Sequence, residues 1–333
     1  MAKKAVKRDD YLCLSAMLRA REARMLGNER AQRMLEAPSF EEAAKQLSDC
    51  GYEDMSQMSA GQIEEMLAKR RDAVFGEMAR LAPDPDVVDL FRVKYDYHNA
   101  KTLIKAEAMG VKPERLLSGA GRVSVEKLCA AYGEGRFGDL PGALGHALEE
   151  AKAVLSRTAN PQLADFVLDK ACYGEMQQLA EESGEPFLQR YAALLTDSTN
   201  LKSAVRTFRM GKDAAFLHSV ILPGGSVSAE RITSASDKDA VAALFQNSPL
   251  EKAAALGAEA AEGGSMTAFE LACDNAVNGF LRDAKLVGYG CEPLCAYLAA
   301  VEGETTAVRM ILTGRLAGIA PETIRERLRD LYA

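Results

Sequence analysis

The sequence predicts an all-α protein built of three similar helical-bundle units. Three observations carry that prediction. Three stretches, Asp84–Gly110, Glu185–Gly211 and Glu292–Gly318, align without a gap over 27 residues. Apolar residues inside them recur at helical spacing, while runs of Val, Ile and Thr with strict alternation are hard to find anywhere in the chain. Ala, Leu, Glu, Arg, Lys and Met dominate the composition, aromatics make up only 6%, and tryptophan is absent, a mixture that favours helix.

Each aligned stretch is marked as one long helix at both ends. An acid followed by proline opens it: Asp84-Pro85, Glu185-Pro186, Glu292-Pro293. Proline suits the first helical position because its missing N–H has no helical partner there. A preceding acid sits at the positive end of the helix dipole. Glycine closes each stretch, at Gly110, Gly211 and Gly318, supplying the left-handed residue that stops a helix. About 25 helical residues span roughly 37 Å.

Inside each helix runs a seam with spacing 4, 3, 4, 3, 4. It is Asp86, Leu90, Val93, Tyr97, Ala100, Ile104 in the first copy. Phe187, Tyr191, Leu194, Ser198, Leu201, Val205 follow in the second, and Leu294, Leu298, Val301, Thr305, Val308, Leu312 in the third. Such a heptad-like seam packs helices side by side at a shallow angle. An acid (Asp96, Asp197, Glu304) lies about 60° to one side of it, and a base (Lys101, Lys202, Arg309) about 80° to the other. Asn99 and Asn200 occupy a third shared position, where the last copy has Ala307.

The flanks repeat too. Upstream, Phe75-Gly76-Glu77-Met78 matches Tyr173-Gly174-Glu175-Met176 and, more loosely, Asn278-Gly279-Phe280-Leu281. Downstream, Ser124-Val125-Glu126-Lys127-Leu128 matches Ser228-Ala229-Glu230-Arg231-Ile232, and Ala320-Pro321-Glu322-Thr323-Ile324 is the third version. Each unit thus reads as helix, long capped helix, glycine turn, short helix. The units are placed at residues 1–135, 136–235 and 236–333.

Composition narrows the function. A net charge of -7 argues against a nucleic-acid surface. The opening MAKKAVKR is basic and reads as a solvated tail, or else as a weak contact for anionic lipid or an acidic partner. It lacks the apolar core of a signal peptide, and no apolar run long enough to span a membrane occurs, so a soluble, cytoplasmic protein is expected. Seven scattered cysteines without a CxxC pair predict buried free thiols in a reducing compartment. Cys291 and Cys295 lie one turn apart, but no histidine is near enough to complete a zinc site.

Catalytic motifs are weak. Gly133, Gly135 and Gly138 spell GxGxxG, but Val125–Tyr132 before them reads as helix where a dinucleotide fold needs a strand. Gly211-Lys212 lacks the upstream glycine of a phosphate loop. His98, His146 and His218 are far apart, and no GxSxG elbow appears. No catalytic residue, cofactor-binding residue, metal ligand or small-molecule substrate is assigned. The set Asp96, Asn99, Lys101, with Asp197, Asn200, Lys202, Glu304 and Arg309, admits two readings. As chemistry it is a polar site in a helical enzyme. As structure it brackets a packing seam, the acids and bases pairing with adjacent helices and the asparagines lining a shared central surface. Threefold recurrence favours structure and partner contact, because catalytic sets seldom repeat three times in one chain.

The wording of the repeats resembles the C-subunit family of V-type/A-type ATPases, whose eukaryotic counterpart is the d subunit. The resemblance is clearest in DLFRVKYDYHNAKTLIKAEAMG at 89–110, in TDSTNLKSAVRTFRMG at 196–211, and from Glu292 to the C-terminus. The family pattern carries Asn where this chain has Ala307, a departure that bears on a polar role there and not on the fold. The resemblance implies three helical bundles around a pseudo-threefold axis, forming a funnel on the cytoplasmic face of the membrane. It implies a non-catalytic rotor linker whose partners are the central-stalk subunits and the membrane rotor ring of proteolipid subunits. A free-standing helical-repeat adaptor for soluble proteins is the alternative.

Overall fold

A computed structural model describes residues 6–333. Among them the regular structure is entirely helical. The N-terminal part contributes α1 (Leu12–Glu22), α2 (Asn28–Glu36), α3 (Phe40–Lys45) and α4 (Ala60–Leu81). The first long helix, α5 (Pro85–Met109), is followed by α6 (Val125–Glu134), α7 (Gly142–Thr158) and α8 (Pro161–Ser183). The second, α9 (Pro186–Arg209), leads to α10 (Ala214–Val220), α11 (Ala229–Thr233), α12 (Lys238–Ala243), α13 (Glu251–Ala261) and α14 (Met266–Arg282). The third, α15 (Cys291–Leu316), precedes α16 (Pro321–Arg325) and an extended C-terminal segment. Of the basic MAKKAVKR opening, residues 1–5 lie outside the described residues. Arg8 within it pairs with Glu292 at 3.1 Å.

The expected start, an acid before proline, forms in two of the three long helices. Asp84 accepts the Asp86 N–H at 3.2 Å with Pro85 at the first helical position. Glu185 occupies the same place before Pro186 without a side-chain cap bond. The third copy departs from expectation. Gly290, at φ 134°, takes the cap position, so α15 starts at Cys291 and Glu292 lies inside its first turn. At the far ends all three glycines are left-handed, with φ of 64°, 61° and 70°.

Burial on the long helices is wider than a seam. Every seam residue is buried except Asp86, but Asp96, Asn99, Asp197, Asn200 and Glu304 are buried as well. Contacts with neighbours explain this. Helix α4 packs on α5 and α15, α8 on α5 and α9, and α14 on α9 and α15, so the six helices touch in closed cyclic order. One large apolar core joins them, with Phe75, Phe91, Tyr97 and Phe269 among its fully buried side chains. Each such side chain contributes on the order of 1.5–3 kcal/mol by leaving water. A second core joins residues 26–67 to Ala307, Val308, Ile311 and Leu312 of α15, with Ile324 and Leu331. The first and last segments of the chain therefore pack together.

Candidate functional site: brackets, seams and a central cavity

The recurring acid does not meet a base on an adjacent long helix, as the sequence pattern suggests. Asp96 turns to the chain that follows its own helix. It accepts the Val123 N–H at 3.0 Å and the Arg122 Nε–H at 2.7 Å. Asp197 accepts the backbone N–H groups of Ser226 and Val227, at 3.0 and 3.2 Å, and the Ser226 hydroxyl. The loops that follow press tightly on both acids. A Cβ at Gly121 would lie 2.4 Å from Asp96 Oδ1, and one at Gly225 only 2.2 Å from Asp197 Oδ1. Glycine is required at both positions by space. Burial pushes both carboxyls above the usual carboxylate range, and these hydrogen bonds pull the other way.

The asparagines brace the same loops rather than a central surface. Asn99 donates to the Ser118 carbonyl and accepts its N–H, both at 2.8 Å. Asn200 does the same with Leu222, again both at 2.8 Å. A side-chain amide has one donor face and one acceptor face, so it can satisfy both backbone groups of one residue at once. Acid and amide together fold the post-glycine chain back along its helix.

The third copy is rebuilt. Ala307 has no amide, and after Gly318 the chain packs α16 on α15 while Glu304 bonds elsewhere. Glu304 accepts instead from the Leu26 N–H and the Tyr52 hydroxyl, each at 2.6 Å. Arg70 lies 3.9 Å away, its guanidinium 4.0 Å from the centre of the Tyr52 ring. Burial again raises the carboxyl. The N-terminal segment thus supplies in this copy what a downstream loop supplies in the others.

The recurring bases reach to neighbouring helices. Lys101 on α5 pairs with Asp169 on α8. Lys202 on α9 pairs with Asp274 on α14 at 2.5 Å, and Arg309 on α15 with Glu64 on α4 at 2.7 Å. Each pair joins a long helix to the helix that precedes the next long one, and the last returns to the first. Asp169 and Asp274 stand at matching positions, four residues before Tyr173 and Asn278, whereas the first unit has Arg71 there and uses Glu64 instead.

Where the six helices meet lies a cavity of about 560 Å³. Each helix contributes to its wall: Arg71 from α4, Tyr95 from α5, Tyr173 from α8, Lys202 from α9, Asp274 from α14 and Glu302 from α15. Glu302 binds the Lys94 ammonium at 2.5 Å and accepts the Tyr95 hydroxyl. Burial and the Glu302 charge raise the Tyr95 phenol well above its usual range. Phe91 of α5 stacks on Tyr191 of α9 at 5.3 Å, and Tyr191 on Phe280 of α14 at 6.4 Å. The N-terminal halves of the long helices therefore close on aromatic and charged contacts, while their recurring bases reach out to neighbours.

Acid and base of one copy diverge, so the recurring set does not converge on a reacting atom. Sequence reasoning missed Arg122, Glu302 and the partner acids on α4, α8 and α14. A signal for the loops existed: Gly121-Arg122-Val123-Ser124 and Gly225-Ser226-Val227-Ser228 share Gly-x-Val-Ser. Of the partner acids, Asp169 and Asp274 share one spacing to the upstream repeat, and Glu64 does not.

Comparison with known proteins gives a match over nearly the whole chain. Residues 14–327 match the family described as ATP synthase (C/AC39) subunit. The chain is similar to the C subunit of the V-type sodium ATPase of Enterococcus hirae, 24% identical over 97% of this chain and 99% of the relative. It is also similar to the C subunit of the A-type ATP synthase of Methanocaldococcus jannaschii, 24% identical over 96% of this chain and 86% of the relative. The C subunit of the V-type ATP synthase of Thermus thermophilus is 27% identical over 63% of this chain and 67% of the relative.

Proposed function

The chain belongs to the ATP synthase (C/AC39) subunit family, and from that premise we propose that it is the non-catalytic socket of a rotary V/A-type ATPase, coupling the central stalk to the membrane rotor ring. In this reading three units, at 1–135, 136–235 and 236–333, stand around a pseudo-threefold axis as a funnel. The third borrows its N-terminal neighbours to complete its acid bracket. The protein lies peripherally on the cytoplasmic face of the membrane. Among the described residues no helix is long and apolar enough to cross a membrane.

The observation that carries the proposal is the cyclic order of the three seam pairs, Lys101–Asp169, Lys202–Asp274 and Arg309–Glu64, around one cavity. A coupler must resist twisting. Buried brackets and long helices packed on both sides give stiffness, because close-packed interiors transmit strain. A cavity walled by all six helices offers the end of a stalk contacts on every side. Relatives named as C subunits of V-type and A-type enzymes support the assignment to such a complex.

Pull-down of the tagged chain from native membranes tests this. Recovery of both central-stalk subunits and rotor-ring proteolipid is expected. Recovery of neither, with the complex otherwise intact, overturns the reading.

A further inference from the structure

In the first two copies the chain after the glycine turn folds back onto its own long helix. In the third, α16 packs on α15 and the chain then goes on to α14. After α16 comes a turn at residues 326–327, and residues 328–333 then run without regular structure along one polar ridge of α14 and beside α15. Arg329 binds Asp274 through two nitrogens, at 2.9 and 2.8 Å. The Asp330 N–H donates to Asn275 at 3.0 Å, its carbonyl accepts from Asn278 at 3.3 Å, and its carboxylate meets Arg282 at 3.3 Å. The Leu331 N–H donates to Asn28 of α2 at 3.2 Å, and the Tyr332 hydroxyl meets Glu22 of α1 at 3.1 Å. Leu328 to Leu331 form part of the wall of the central cavity.

We infer that residues 326–333 are a releasable side wall of the central cavity, able to lift from α14 while the helices beneath keep their places. Two features make release possible. First, the two carboxylates that accept from the segment do not depend on it. Asp274 keeps Lys202 at 2.5 Å, and Glu22 keeps Arg19 at 2.7 Å, when Arg329 and Tyr332 leave. Lifting the segment strands no buried charge, which is the usual reason a polar contact cannot open. Second, the helices have their own tie. Arg19 of α1 donates to the carbonyls of Ala284 and Val287, at 2.8 and 2.7 Å, so α1 stays joined to the end of α14 without the segment. What holds the wall is a row of half-exposed polar contacts together with three apolar side chains, Leu331 buried and Leu328 and Tyr332 partly so. Opening uncovers Asp274, Asn275 and Asn278 and widens the cavity on one side.

Hydrogen exchange on the full chain at rising salt tests the inference. Raising sodium chloride from 0.1 to 1 M shortens the screening length from about 10 to about 3 Å. Amides of residues 329–333 are expected to exchange roughly tenfold faster at 1 M, while those of Met266–Arg282 keep their rate. Arg329→Ala is expected to raise the rate at 0.1 M and to weaken the salt dependence, the Asp330–Arg282 pair being the ion pair that remains. Co-exchange of the segment with α14, or a segment rate that ignores salt in the parent chain, overturns the inference, because the segment is then a fixed part of the core. The parent titration decides the matter even if the variant fails to fold.

Discussion

The Glu304 carboxylate accepts the backbone N–H of Leu26, 278 residues away in sequence, at 2.6 Å. One buried acid thereby binds the first part of the chain to the last long helix, and Tyr52 completes the bracket. Tyr52→Phe removes a hydroxyl from a buried carboxylate and keeps the ring that stacks with Arg70. A hydrogen bond to a charged group is worth about 1.5–3 kcal/mol. Urea unfolding of the variant is expected to lose stability by that amount, with the trypsin sensitivity of residues 26–58 rising in step. An unchanged midpoint shows that Leu26 alone satisfies Glu304.

Asn200→Ala leaves the Leu222 N–H and C=O buried without partners. A cost of about 2–4 kcal/mol is expected from two unsatisfied groups. The reverse change in the third copy, Ala307→Asn, buries an amide in the apolar core that Ala307 shares with Ile324 and Leu331, and it is expected to destabilise rather than restore symmetry. Denaturant midpoints of the two variants check both signs. Stabilisation by Ala307→Asn contradicts the rerouted third copy.

Asp197 carries a pH signature. Burial raises its carboxyl in the folded protein, against the pull of the Ser226 and Val227 hydrogen bonds. A raised folded pKa gives stability that is complete below the unfolded pKa and is lost as pH rises through the folded one. Asp197→Asn does not titrate. Its deficit relative to the parent is therefore expected to be largest near pH 3–4 and to shrink from about pH 4 upward. Thermal unfolding of both proteins across that range gives the answer. A deficit that grows with pH means that the hydrogen bonds outweigh burial and hold the carboxyl low.

All seven cysteines are free thiols, but only Cys13 is fully exposed. Burial pushes Cys172 and Cys273 up to about 12 and raises Cys295 strongly. The thiolate is the reactive form. One thiol, at Cys13, is expected to react quickly with a maleimide at pH 7 in the native protein, and all seven after denaturation. Rapid native labelling at Cys172 or Cys273 shows that α8 or α14 opens readily.

The helical class and all three glycine stops are legible in the sequence because they are local: a left-handed stop or a periodic seam is written in adjacent residues. The third helix start is not, because Gly290 competes with Glu292-Pro293, and a proline is tolerated in a first turn. The recurring residues stand out in the sequence, and of their partners only Asp169 and Asp274 recur at one spacing. Asp96 and Lys101 sit on opposite sides of a seam, which suggests pairing across helices for both. Only the path of the chain after Gly110 shows that the acid serves a loop and the base a neighbour. The loss of Asn at position 307 is visible in sequence, yet its meaning depends on residues 26 and 52, which nothing in the local pattern connects to it.

The division of labour between buried acids and half-exposed bases sets how the molecule bears load. Brackets at Asp96, Asp197 and Glu304 are sealed and rupture only at high cost. Seam pairs at Lys101, Lys202 and Arg309 face water, where a pair is worth about 0–1 kcal/mol and re-forms after breaking. The six-helix circle therefore carries its weak, reversible contacts where one helix meets the next, and its costly ones where a loop or the N-terminal segment closes on a long helix.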